Sequence, residues 1–81
     1  MNVVPNPFNT SFTVNFRSPV KGIVSITLMD AQGRILENVN AEANTLDNMV
    51  TINTANYTKG VYFVSITYNE VKTDYQRIVK Q

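Results

Sequence analysis

The sequence contains no cysteine, no histidine and no tryptophan. Without cysteine there is no disulfide framework, no thiol nucleophile and no zinc–thiolate site. Without histidine there is no Ser-His-Asp or Cys-His arrangement, no imidazole metal ligand, and no side chain that titrates near neutrality at its ordinary pKa. Charge of one sign is also lacking. Seven Lys and Arg against six Asp and Glu leave a formal +1, so little is available to build the basic face that nucleic acid requires, and no nucleic-acid partner is expected. No stretch approaches the roughly 18 apolar residues of a membrane helix. The opening "MNVVPNPFNT" has no Lys or Arg and no long apolar run, so no export signal peptide is read there. If the domain is exported, its signal is expected on a longer chain, with Met1 an added start residue.

What remains is 81 residues, 43% hydrophobic and 16% charged, the composition of one globular domain spanning 1–81. The dominant signal is period-two alternation in short segments bounded by turn residues, the pattern of strands. In "SFTVNF" (11–16), Phe12, Val14 and Phe16 share one face. Pro19 and Gly22 mark a turn, and Ile23–Asp30 comes next with Val24, Ile26 and Leu28 together. "DAQGR" (30–34) reads as a hairpin turn. A strand at 35–39 puts Ile35, Glu37 and Val39 on one face and Leu36 and Asn38 on the other, an alternation poor enough to suggest an edge. Residues 40–48 read as a connection, and 49–53 as a strand. Residues 54–60 form a crossover loop, 61–69 the most apolar and central strand, 70–72 a turn and 73–80 the last strand. With a short segment at 2–4, this gives about seven antiparallel strands and no credible helix: an all-β sandwich.

No catalytic constellation is present. Asp30, Asp47 and Asp74 fall at turns or strand ends, where aspartate commonly binds backbone amides, and no D-x-D-x-D loop offers a calcium site. No cofactor or metal is expected. Phe12, Phe16 and Phe63 alternate as core residues do, which leaves little for an aromatic sugar-binding platform. The final ten residues, "KTDYQRIVKQ", carry Lys72, Arg77 and Lys80 against Asp74. Two readings fit: protection of a terminal edge strand, or a recognition strip.

Four separated pieces in fixed order bear on that choice. "VVPNPFN" opens the chain, "VSITLMDAQGRIL" supplies a strand and a Gly-Arg turn, "YTKGVYFVSI" places Lys-Gly before an aromatic strand, and "RIVKQ" closes it. Together they resemble the type A C-terminal sorting domain of type IX secretion system cargo proteins of Bacteroidota, over essentially the whole chain. The resemblance implies an Ig-like β-sandwich of seven strands and a role as an export address rather than an enzyme. It implies a covalently linked N-terminal passenger that crosses the periplasm on its way to the cell surface or the medium. The implied partners are the type IX translocon, outer-membrane shuttle components, and a sortase-like peptidase that removes the domain and joins the passenger to anionic lipopolysaccharide.

The resemblance carries over to Pro5, Asn6 and Pro7, to Gly33 and Arg34, to Lys59, Gly60 and Tyr62, and to Arg77, Val79 and Lys80. Of these, Arg77, Val79, Lys80, Lys59 and Tyr62 are the candidates for translocon recognition; Pro5, Asn6, Pro7, Gly33, Arg34 and Gly60 are structural. The terminal strand is expected to be read by strand addition, with Arg77 and Lys80 giving selectivity. Exposed edge strands also leave self-association open. Val4 stands where the family often has an aromatic residue, and Gln76-Arg77 where it often has lysine. Pro5 and Pro7 fix their own φ and bias Val4 and Asn6 away from helix, so "PNPF" is expected to be a stiff lead-in that delivers Phe8 onto the sandwich. The competing reading is a non-catalytic carbohydrate-binding or adhesive Ig-like module.

Overall fold

Alternation writes the strands directly. The computed structural model describes residues 1–69 and 72–81. Its strands are β1 (Asn2–Val4), β2 (Ser11–Arg17), β3 (Gly22–Asp30), β4 (Ile35–Ala43), β5 (Asp47–Asn53), β6 (Gly60–Tyr68) and β7 (Lys72–Lys80). In β2, Phe12, Val14 and Phe16 are buried while Ser11, Thr13 and Asn15 face outward, half-buried. All pairings between these strands are antiparallel. One sheet has the order β1-β2-β5, the other β4-β3-β6-β7. The fourth strand therefore lies beside the third, whereas in the constant-type Ig arrangement it joins the sheet of the first, second and fifth.

The apolar faces of both sheets form a single core. Phe12, Val14, Phe16 and Ile52 come from one sheet, and Val24, Ile26, Leu28, Val64, Ile66, Tyr68 and Ile78 from the other. Phe16 and Tyr68 span the two layers with ring centroids 6.1 Å apart. Each fully buried large side chain contributes roughly 1.5–3 kcal/mol of transfer free energy, and these contacts hold the layers together. β6 is central, as its apolar run predicts, flanked by β3 and β7.

The fourth strand departs from expectation twice. It runs to Ala43, so 40–43 is not connection but strand, paired from Glu37 opposite Leu28 to Ala43 opposite Gly22. A register shift at Leu28/Met29 inserts Leu36 as an extra residue, and a bulge of this kind reverses the parity of the residues beyond it. Ile35 is consequently 65% exposed, while Leu36 and Ala41 pack against the core. The small alanines and the bulge together erase the alternation that marks the other strands. The connection shortens to a turn built by asparagine side chains: Leu46 N donates to Asn44 Oδ1 at 2.7 Å, and Asn48 Nδ2 donates to Asn44 O at 2.9 Å. The turn expected over 70–72 falls partly outside the described residues, at Glu70 and Val71; Lys72 already belongs to β7.

Candidate functional site

The turn after β3 is organised by one carboxylate. Asp30 Oδ1 accepts from Gln32 N (3.0 Å) and Arg34 N (2.9 Å), and Oδ2 accepts from Arg34 Nε (2.9 Å). Gly33 closes the turn by donating to Asp30 O at 3.0 Å with φ at +84°, a conformation glycine adopts without steric penalty. The Arg34 backbone amide first, then the Arg34 guanidinium and the Gln32 amide, hold the Asp30 carboxyl below its usual 3.8, against burial acting the other way.

The 54–60 loop is tied down from three sides. Thr54 N donates to Thr10 O at 2.8 Å and Tyr57 N to Thr54 O at 3.0 Å. Gly60, with φ at +146°, turns the chain into β6 directly opposite Lys80. Lys80 supplies the third tie. Only 8% exposed, its ammonium donates to the carbonyl of Thr54 and, at 2.6 Å, to that of Tyr57. No ion pair to Lys80 forms among the described residues, so peptide dipoles, not a carboxylate, compensate the buried charge. Tyr62, 5% exposed, faces the core and donates its hydroxyl to Thr58 O. Its ring lies 6.2 Å from Tyr57 and 6.3 Å from Phe8. Burial first, and then the charge of Glu37, push the Tyr57 hydroxyl above its usual 10.0.

The amino-terminal segment completes this end. Phe8 is buried against Phe12 with centroids 5.1 Å apart, so "PNPF" sets an aromatic ring into the core. The Val4–Pro5 and Asn6–Pro7 peptide bonds are both cis. The segment also lies along the free edge of β7. Phe8 forms a parallel bridge with Lys80, donating to Val79 O at 2.9 Å and accepting from Gln81 N at 2.8 Å. Asn6 continues the ladder with its side chain, accepting from Val79 N at 3.1 Å and donating to Arg77 O at 3.3 Å. Strand addition over 77–81, expected from the sequence, thus meets an edge already filled.

All four motif segments therefore form one connected end of the sandwich. Phe8 joins Lys80, Lys80 joins the 54–60 loop, Tyr62 of that region pairs with Asp30 across β6 and β3, and Asp30 holds Arg34. The recognition candidates divide by environment. Lys59 and Arg77 are exposed, Val79 is half-buried, and Tyr62 and Lys80 are enclosed by their own domain. Among the structural candidates, Pro5, Asn6, Pro7, Gly33 and Arg34 are exposed and Gly60 is half-buried. Two roles escaped the sequence reading. Lysine is rarely enclosed, but Lys80 lies two residues from buried Ile78, and that parity is a legible sign that it faces inward. Asn6 had a sign too: its side chain carries both a donor and an acceptor, the pair of groups that a β-ladder rung requires.

A cleft of about 380 Å³ opens between the Asp30–Arg34 turn and the loop, lined among others by Arg34, Leu36, Tyr57, Lys59 and Val61. The aromatic side chains do not form an exposed platform. Phe8, Phe12, Phe16, Tyr62 and Tyr68 are buried; Phe63, expected in the core, is instead half-buried on the face of β6 opposite Tyr62 and Val64, and Tyr75 on β7 is 71% exposed.

Against known proteins, no curated protein matches. A family model described as the secretion system C-terminal sorting domain matches residues 2–81. The domains of that family are sorting signals rather than catalysts; they engage the type IX secretion machinery and direct export to the cell surface or the medium. With the match covering all but the first residue of a chain that folds as a seven-stranded sandwich, the chain belongs to the C-terminal sorting domains of the type IX secretion system.

Proposed function

We propose that the domain escorts a passenger, joined to its amino-terminal side, through the periplasm to the outer-membrane translocon, and that the motif end is the surface a shuttle component engages. A sortase-like peptidase then removes the domain upstream of "PNPF". Within this reading Lys59 and Arg77 make contacts with the machinery. Val79 supports the strand from which Arg77 projects, and Lys80 and Tyr62 act through the loop they fix rather than by touching a partner. The observation that supports it is the hydrogen-bonded convergence of segments as distant in sequence as Asn6 and Val79, or Lys80 and Tyr57.

The test fuses the chain to an exported fluorescent reporter in a host with a type IX system. Reporter at the surface or in the medium, lost in a translocon mutant, is the expected result. Reporter held in the periplasm would refute the proposal. Cleavage by the peptidase is read from the size of the released reporter. Deleting residues 77–81 is a poor probe of recognition alone, because it also removes the partners of Asn6 and Phe8.

A further inference from the structure

The cleft between the Asp30–Arg34 turn and the 54–60 loop is the feature of the motif end with chemistry left unused. Arg34 is 79% exposed at its side chain, yet its Nε is fixed on Asp30 Oδ2. The guanidinium is thereby held in one orientation with its two terminal nitrogens unbonded among the described residues. Lys59 lines the same cleft and has no hydrogen bond or ion pair among the described residues. It sits on a loop whose position is set by Lys80 through the Thr54 and Tyr57 carbonyls. Asp30 is the acid of the lining, and its oxygens are already taken by Gln32 and Arg34. Glu37, whose charge reaches Tyr57, does not line the cleft.

We propose that this cleft binds a carboxylate of an acidic polypeptide segment of the export machinery, with Arg34 and Lys59 as its two cations. The inference rests on the sorting reading above. Three observations select the ligand class. A guanidinium held at Nε offers a planar two-nitrogen fork, which matches a carboxylate bidentately. The lining carries two cations against one acid, a surplus of one positive charge that a monoanion neutralises and a phosphate dianion would overshoot. Leu36 and Val61 add aliphatic wall beside the Tyr57 ring, and this suits a peptide, whose side chains flank its charge, better than a bare inorganic anion. The site also depends on the closed end of the fold: Lys59 sits on the loop that Lys80 of β7 ties through the Thr54 and Tyr57 carbonyls.

The test has two arms. In the first, amide NMR spectra of the ¹⁵N-labelled chain are followed while a blocked peptide of alternating glutamate and glycine is added. Shift changes confined to 30–36 and 56–62 are expected, weakened by added salt. Arg34→Gln and Lys59→Gln should each weaken binding about fivefold, with spectra elsewhere unchanged to show that the fold is kept. An equal response to the glutamine counterpart of the peptide would overturn the proposal. So would tighter binding of inorganic phosphate, which would assign the cleft to a phosphate group instead. In the second arm, Lys59→Glu is placed in the reporter fusion. Wild-type export with loss in the variant supports the cleft's role. Equal export of both overturns the cleft and the contact assigned to Lys59 while leaving the role as a sorting signal intact, and failure of the wild type to export overturns the sorting reading itself.

Discussion

Asn6 and Val79 form a rung of β-ladder in which one partner is a side chain: the Asn6 carboxamide oxygen accepts from the Val79 amide at 3.1 Å. Its nitrogen completes the rung on Arg77 O at 3.3 Å. In a regular continuation of the Phe8 bridge the Asn6 backbone would make this rung; here its carboxamide supplies both the donor and the acceptor instead.

Asn6→Ala removes both bonds at an exposed position, where water replaces part of what is lost. Stability should fall by about 1 kcal/mol, seen as a drop of roughly 4–8 °C in Tm for a domain of this size. Hydrogen exchange at the Val79 amide should accelerate at the same time. An unchanged Tm with unchanged exchange would mean that the rung contributes nothing.

Lys80→Met tests the loop clamp. Thr54 O keeps a donor in Tyr57 N, so Tyr57 O is the acceptor orphaned, and the lost desolvation penalty of the ammonium offsets part of the damage. The net loss should be about 1 kcal/mol. The more telling readout is local: amide shifts of Tyr57 through Gly60 should move while those of β2 and β3 stay put. A variant with wild-type shifts across the loop would remove the clamp from the account.

Acid should act through Asp30. Its folded pKa lies below 3.8, so on acidification the unfolded chain takes up the proton first. The contribution is present above pH ~4 and is lost as pH falls through the lower folded value. Denaturant unfolding measured from pH 5 downward should show a decline that Asp30→Asn makes shallower. Equal slopes in the two proteins would contradict the assignment.

Alkali should act through Tyr68. Burial foremost, with the hydrogen bond to Asp74 at 3.1 Å and that carboxylate's charge, pushes its hydroxyl up to about 12. An unfolded tyrosine ionises near 10. Between those values the folded protein retains the proton that the unfolded chain has released, so stability falls as pH rises through that interval. Tyr68→Phe should flatten this decline and remove a late step from the phenolate absorbance titration.

The strands with strict alternation could be read from sequence because burial there is decided by side-chain polarity alone. Phe12, Val14 and Phe16 needed nothing but their spacing. Reading failed where position along the chain ceased to predict facing. At Leu36 an inserted residue reversed the parity of β4, and Ala41 and Ala43 are too small to announce a buried face. At the motif end the difficulty was chemical. Lys80 carries a group whose usual place is water, and its two acceptors are backbone carbonyls 26 and 23 residues away, which no residue type advertises. Asp30 was read correctly as a turn former; its hold on the Arg34 side chain depended on a guanidinium orientation that spacing does not specify.

The parallel bridge between Phe8 and Lys80 has a mechanical consequence. The amino-terminal segment and β7 run in the same direction, so tension applied across the two ends of the chain pulls them in opposite senses along their common axis. The bonds of Phe8 and Asn6 to Arg77, Val79 and Gln81 are then loaded in shear and share the load, instead of opening one after another as in a peeled hairpin. A tug on Met1 that passes the short β1–β2 pairing is met by the last strand of the domain, along a seam whose bonds must slip together.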